Sequence, residues 1–403
     1  MPKHSISSSN SSSSSSKNKK KKQKKQKKRS DSLCARFTSI NRDDICVNET
    51  TNSSNNEISH NCRDYFYDNS LIHSNVITEL NAYNYLELRK EKNAILDTFE
   101  PNLEEQDCIV INPIDNTIKI NESLIQGNNI TITKYISNGC YGVIFVSSQD
   151  YDIRYVIKFI IFNETNINEI TTMINVKKNN NTYIPNFINI AYYHLQCRNI
   201  SNTLPNKFLN GINTCLKDNK YSMIILEYFD GTILDLINSI FPLNPIRTFT
   251  HEDIELFNSI FAQLIISIYL FHNKFNYIHK DAHLKNFLYK KVVKDNKYFH
   301  YKIGDNNYYI KNCGYLVVLS DYGLSINISS EINKFKDYNN ILFFVSKYIK
   351  TETILKNYLD YSYCDYINHF NEFDFLNYMM TKILNIKTVK THDMTLINDI
   401  PYE

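Results

Sequence analysis

Four groups of residues combine types that can do chemistry. The densest is Tyr277-Ile-His279-Lys-Asp281-Ala-His283-Leu-Lys285-Asn286-Phe-Leu-Tyr289. Read alone, His279, Asp281 and His283 fit either a metal-ligand cluster or the ordinary polar groups of a loop. A second group is Tyr155-Val-Ile-Lys158-Phe-Ile, an ammonium inside a strongly apolar run. A lysine in a buried strand needs an anion beside it. Glu169 is the first candidate and Glu164 the second; the alternative is a strand lysine facing solvent. The third group is Ile136-Ser-Asn-Gly139-Cys-Tyr-Gly142-Val-Ile-Phe145. Glycines there let backbone N–H groups approach a polyphosphate without a Cβ in the way, although such hairpins are more often plain turns. The fourth is Leu316-Val-Val-Leu-Ser-Asp321-Tyr-Gly323, an apolar run that ends on a carboxylate.

These groups need elements to hold them. Ile130–Ile136, Val143–Ser147 and Tyr155–Ile161 are rich in β-branched and aromatic residues and separated by turn-formers, which predicts three successive antiparallel strands. A helix is expected over Asn166–Lys178, followed by a further strand at Tyr221–Tyr228. Glu252–His272 carries a wide apolar face, Ile254, Phe257, Ile260, Phe261, Leu264, Ile265, Ile268 and Leu270, and predicts a long helix before the His279 loop. Because another strand follows the glycine turn, a dinucleotide-binding loop, which opens a helix, is disfavoured. Upstream, Leu80, Tyr83, Leu86 and Leu88 recur at helical steps within Ile77–Leu96.

Composition sets the limits. The chain has 403 residues, 42% of them hydrophobic, enough for one large or two moderate cores. Its formal charge of +3 hides an asymmetry: residues 1–30 hold 11 of the 45 Lys+Arg and none of the 42 Asp+Glu, so the remainder, with 34 basic and 42 acidic residues, carries −8. Phosphate must therefore be attracted to the folded body by local geometry. The Ser- and Lys-rich residues 1–33 have nothing apolar to bury and are expected to be disordered. They suit a weak nucleic-acid or anionic-surface contact or a nuclear address, and a solvated tail is the plainer alternative. Nine cysteines, an odd number without a Cys-x-x-Cys, fit a reducing compartment. No apolar stretch reaches membrane-spanning length and no signal peptide is legible, so a soluble intracellular protein is expected.

In chain order these motifs resemble the protein-kinase-like superfamily over about residues 128–350. His279-x-Asp281-x-x-x-x-Asn286 is similar to the catalytic loop, Asp321-Tyr-Gly323 looks like Asp-Phe-Gly with Tyr for Phe, and Met223–Leu236 is similar to the segment between the lobes, with Leu226 as gatekeeper. The insertion Lys290–Tyr315, with a Gly-Asp-Asn turn inside an expected hairpin, together with the Asn, Ile, Tyr and Lys bias, resembles the divergent serine/threonine kinases of large DNA viruses. The resemblance implies an α+β, two-lobed fold: a disordered tail at 1–33, a partly helical extension at 34–125, a small antiparallel sheet lobe at 126–228, and a mainly helical lobe at 229–403 with the hairpin insertion at 290–315. It also implies ATP with Mg²⁺ or Mn²⁺, a protein substrate, and a setting in the host cytoplasm, nucleus or virion. By residue, Asp281 would orient the acceptor hydroxyl, and Lys158, held by Glu169, would grip the α- and β-phosphates. Asn286 and Asp321 would hold the metal, and Lys285 or His283 would offset γ-phosphate charge. Gly139 and Gly142 would cover the phosphates, Ile136 and Ile144 would sandwich the adenine, and the backbone from Glu227 to Phe229 would hydrogen-bond its edge.

Departures from the pattern bear on substrate and regulation. Ser137 replaces the first loop glycine and Lys280 replaces the arginine before the catalytic Asp, which weakens a bidentate grip on a phosphorylated loop. No Ala-Pro-Glu follows Gly323. Asp337–Val345 fits the helix that anchors the catalytic loop. His283 at Asp-x-His is similar to choline- and aminoglycoside-type kinases, so a small-molecule kinase is the alternative reading. A pseudokinase scaffold is the third, although it usually lacks one of Lys158, Asp281, Asn286 or Asp321.

Overall fold

The fold is described from a computed structural model, which covers residues 81–96, 104–115, 117–125, 129–138, 142–149, 153–198, 220–240, 250–328, 334–348 and 371–403. The tail at 1–33, most of the expected extension and Gly139 lie outside these residues. The described elements begin with helix α1 (Ala82–Leu96) and strands β1 (Ile109–Ile111), β2 (Ile118–Ile120), β3 (Ile130–Asn138), β4 (Gly142–Gln149) and β5 (Ile153–Ile161). Helix α2 (Glu164–Asn179) crosses to β6 (Ile190–Cys197) and β7 (Tyr221–Glu227). These seven strands form one antiparallel sheet in the order β1-β2-β3-β4-β5-β7-β6. β1 and β2 come from residues assigned by sequence to the extension, yet they extend the sheet edge; all described elements belong to one compact unit, residues 78–403.

Strand alternation divides the sheet's side chains between two cores. Ile157, Phe159, Met223 and Ile225 join Phe145, Ile118 and Ile120 on one face. Ile160, Ile224 and Leu226 face the larger core shared with the helices. Lys158, two residues before Ile160, is on that second face, beside its cross-strand neighbours Ile144 and Ile224. Cys108 and Cys197 are joined as a disulfide that pins the segment before β1 to the end of β6. This corrects, for that pair, the expectation of reduced thiols: the pairing depends on two residues 89 apart meeting in space, which spacing along the chain does not reveal.

The second lobe opens with β8 (Gly231–Thr232), α3 (Ile233–Ile240) and α4 (His251–Asn273). Helix α4 starts at a capping box, Thr250 with Asp253, and is buried nearly all round. It is the one helix among the described residues long and apolar enough to cross a membrane, and most of it is buried in the protein core. Short β9 (Tyr277–Ile278) and β10 (Phe287–Lys291) flank the His279 loop. The expected hairpin is present as β11 (Lys297–Ile303) and β12 (Asn306–Lys311), closed at Gly304, whose φ of +58° suits glycine. β13 (Tyr315–Leu319) pairs with β10 and leads to Asp321. β14 (Ile326–Asn327), α5 (Phe335–Tyr348), α6 (Glu372–Tyr378) and β15 (Thr395–Leu396) complete the lobe, β15 running parallel to β11.

Candidate active site

Lys158 reaches from the middle of β5 toward α2. Its Nζ donates to Glu169 Oε1 at 2.7 Å and Oε2 at 2.9 Å, and to Asp321 Oδ1 at 3.2 Å. Glu169 is the partner expected first from sequence, and it is the more deeply buried acid, its side chain 4% exposed against 49% for Asp321. Burial opposes the charge on Lys158, but Glu169 and then Asp321 outweigh it, so the lysine pKa is raised. Lys158 in turn lowers the Asp321 pKa, with smaller contributions from His279 and His283. Two lobes thus meet through one ammonium and two carboxylates.

Asp321 is held by its surroundings against a backbone preference. Its φ of +61° lies in the left-handed region, rare for a residue with a Cβ. On one side Ser320 N and Oγ both donate to the Asn286 carbonyl at 2.9 Å. On the other, Tyr322 is fully buried, stacks on Phe271 at 5.1 Å and donates its hydroxyl to Leu319 O. Asn168 of α2 donates to Ser325 O at 2.8 Å, which fixes the helix carrying Glu169 against the same turn.

The His279 loop is anchored from beneath. Asp337, buried near the start of α5, accepts from His279 N at 2.7 Å and Lys280 N at 2.8 Å; Lys280 also has a positive φ, +66°. Asn286 Nδ2 donates to Asp281 O at 2.9 Å and Asp281 Oδ2 at 3.2 Å, and His283 Nε2 stands 3.5 Å from that Oδ2. His279 is buried and hydrogen-bonds Ser320 O at 2.9 Å, so it joins the Asp281 loop to the Asp321 turn instead of serving as a metal ligand beside His283. A sheet lobe whose strand lysine is paired to a helix glutamate therefore abuts a helical lobe whose two acidic loops are tied together. The chain has a protein-kinase-like fold.

No protein-family model and no curated protein matches the sequence. Among solved structures, the kinase-like chain is similar to a BubR1 kinase domain, with 14% identity, a TM-score of 0.34 and 62% of each chain covered. It is also similar to the kinase PK-1 of Cydia pomonella granulovirus, with 20% identity, a TM-score of 0.30, and 50% of this chain and 55% of that one covered. The chain thus spans less than two thirds of the length of either structure.

Other expected site residues fall as follows. Ile144 lies beside Lys158 on the same sheet face, whereas Ile136 is more exposed. Gly142 ends the glycine turn at β4, where an added Cβ would overlap the Phe159 carbonyl oxygen; close strand approach is a reason for this glycine that the sequence does not disclose. Lys285 is exposed, with no ion-pair partner among the described residues. Glu227 and Phe229 lie at the end of β7 and just beyond it, but the Glu227 carboxylate is taken by Arg89. Sequence reasoning missed Arg89. The signal was a charged residue at helical spacing from Leu86 and Tyr85, the buried stripe of α1. The pattern Tyr83 and Leu88 pointed to the wrong face, since both are exposed.

Proposed function

We propose that the protein is an ATP-dependent serine/threonine protein kinase. The observation that carries this reading is the Lys158 Nζ held between Glu169 and Asp321, with the Asp321 turn tied through Ser320 to a loop in which Asn286 is bonded to Asp281. Among the described residues no group of three or more His, Cys, Asp or Glu is placed to hold a metal. Asp321 and the Asn286 amide oxygen are hard donors that suit Mg²⁺ or Mn²⁺, since Mg²⁺ keeps several waters and takes the rest of its shell from phosphate. With the Asn286 Nδ2 engaged by Asp281, Oδ1 is the atom left for the cation. Bound there, the metal neutralises phosphate charge.

The chain's own residues position the rest. Lys158 holds the α- and β-phosphates, which the glycine turn ending at Gly142 covers, and the backbone of residues 227–229 meets the edge of the adenine, whose ring packs against Ile136 and Ile144. Asp281, its side chain half-exposed, accepts a hydrogen bond from the acceptor hydroxyl and takes its proton as the new oxygen–phosphorus bond forms and the bond from the γ-phosphorus to the β,γ-bridging oxygen breaks, releasing ADP. Lys285 or His283 offsets charge on the γ-phosphate. A small-molecule acceptor is the second reading, supported by the Asp281-x-His283 pattern, which resembles choline- and aminoglycoside-type kinases, and by the lack of an Ala-Pro-Glu after Gly323. Incubation of the purified chain with γ-labelled ATP, Mg²⁺, a protein mixture and a metabolite pool separates the two. Label in serine or threonine of protein supports the first reading and label in a metabolite the second; no transfer overturns both. Asp281→Asn is expected to retain Mg-ATP binding and lose transfer.

A further inference from the structure

Helix α1 lies N-terminal to the region that carries the kinase resemblance, yet it reaches the segment joining the lobes. Ala82 and Leu86 are buried in the main core, and the next turn of the same stripe presents Arg89, only 4% exposed. A buried guanidinium is costly unless its donors are satisfied. Here Nε donates to Glu227 Oε2 at 2.6 Å, and Nη2 donates to Glu227 Oε1 and, at 2.7 Å, to Phe187 O. Nη1 donates to Pro185 O, and the guanidinium lies 5.8 Å from the centre of the Phe229 ring. Glu227 Oε1 also accepts from Asn189 N at 3.0 Å.

The neighbouring linker residues are held by a second cation. Lys290 of β10 pairs with Asp230 at 3.1 Å and lies over the rings of Tyr228 and of Tyr85 from α1. Residues 227–230 are therefore each held by Arg89 or Lys290. The 185–187 carbonyls extend the network: Asn186 donates to Val317 O at 2.9 Å and accepts from Leu319 N at 2.8 Å, both on β13, which ends two residues before Asp321. The planar fork of arginine, which matches a carboxylate bidentately, is needed for such a junction; a lysine supplies one point charge.

We propose that α1 is a strut for the inter-lobe linker and that Arg89 is a positioning residue for nucleotide binding. By clamping Glu227 to the 185–187 loop it fixes the 227–229 backbone, so that the adenine base meets a preorganised edge. The inference rests on the reading of 227–229 as that edge. It sets a task for residues upstream of the kinase-like region: they tune the base subsite and leave the phosphate subsite alone.

The test compares the full chain with Arg89→Lys and with the double variant Arg89→Leu/Glu227→Leu, which strands no buried charge. Thermal melts establish folding, and calorimetry measures Mg-ATP and Mg-tripolyphosphate binding. Both variants are expected to melt cooperatively and to bind Mg-ATP at least about tenfold more weakly, with tripolyphosphate affinity within about twofold of the parent. The KM for ATP rises correspondingly while kcat changes little. Parental ATP affinity in a folded variant overturns the proposal, and so does equal weakening of both ligands, which marks a merely structural role. A parent chain that binds tripolyphosphate but not ATP overturns the adenine-edge reading and the strut with it, whereas ATP binding that withstands the substitutions overturns the strut alone.

Discussion

At the scale of single residues, the chemistry concentrates on charges that are buried in pairs. Lys158→Met leaves Glu169 and Asp321 facing each other without the ammonium between them. Steady-state kinetics are expected to show kcat/KM lowered by about 100-fold or more, the usual consequence of removing one preorganised electrostatic group. A different titration belongs to His272, fully buried at the end of α4. Its Nε2 lies 3.0 Å from Asp337 Oδ2 and its Nδ1 2.6 Å from Glu372 Oε1; Tyr338 and Lys334 also reach Glu372. Burial opposes a charge on His272, and the two carboxylates override it, so its pKa is raised. Stability from the protonated form is then complete below the ordinary histidine value of about 6.5 and is lost as pH rises through the higher folded value. Denaturant melts across that window are expected to fall by at most about 1.4 kcal/mol per pH unit, and His272→Gln is expected to abolish the slope.

At the scale of elements, each functional group depends on a neighbour that holds it still. Asp337 of α5 carries the His279 loop, and Tyr322 and Asn168 hold the Asp321 turn against α4 and α2. The inserted hairpin is part of the core: Phe299, Tyr301, Ile303, Tyr308 and Ile310 are all buried in it. Tyr301 donates to Asn186 Oδ1 at 2.7 Å, which connects the hairpin to the loop clamped by Arg89. Tyr301→Phe leaves that oxygen buried without its donor, and chemical denaturation is expected to show a loss of about 1–3 kcal/mol. The strands and long helices were legible because alternation and helical periodicity are local properties. The two early strands were not, since three-residue Ile-Val-Ile and Ile-Lys-Ile runs acquire meaning only beside β3.

At the scale of the whole molecule, the Lys158–Asp321 contact bridges the sheet lobe and the helical lobe, and the linker between them is clamped from α1. A ligand that engages both lobes must stabilise the folded chain by mass action. Mg-ATP at about 100 times its Kd is expected to add about 2.7 kcal/mol to unfolding, and ATP with a chelator less, because Asp321 then meets phosphate without a cation. A thermal-shift titration with and without Mg²⁺ checks this, and equal shifts under both conditions count against Asp321 as a metal ligand.

What the sequence determined by itself was the order of chemical groups and the period of the elements bearing them: a lysine in an apolar strand, a His-x-Asp loop after a long apolar helix, and an aspartate at a strand end. Those features are set by neighbours a few residues away. Tertiary structure alone decided that Lys158 would meet Asp321 as well as the expected Glu169, that His279 would turn inward to Ser320, that Cys108 would find Cys197, and that Arg89 would close on Glu227 across 138 residues. Each of these is a contact between distant segments. The attraction or bond that offsets the cost of burying each pair exists only once folding has brought its two members together.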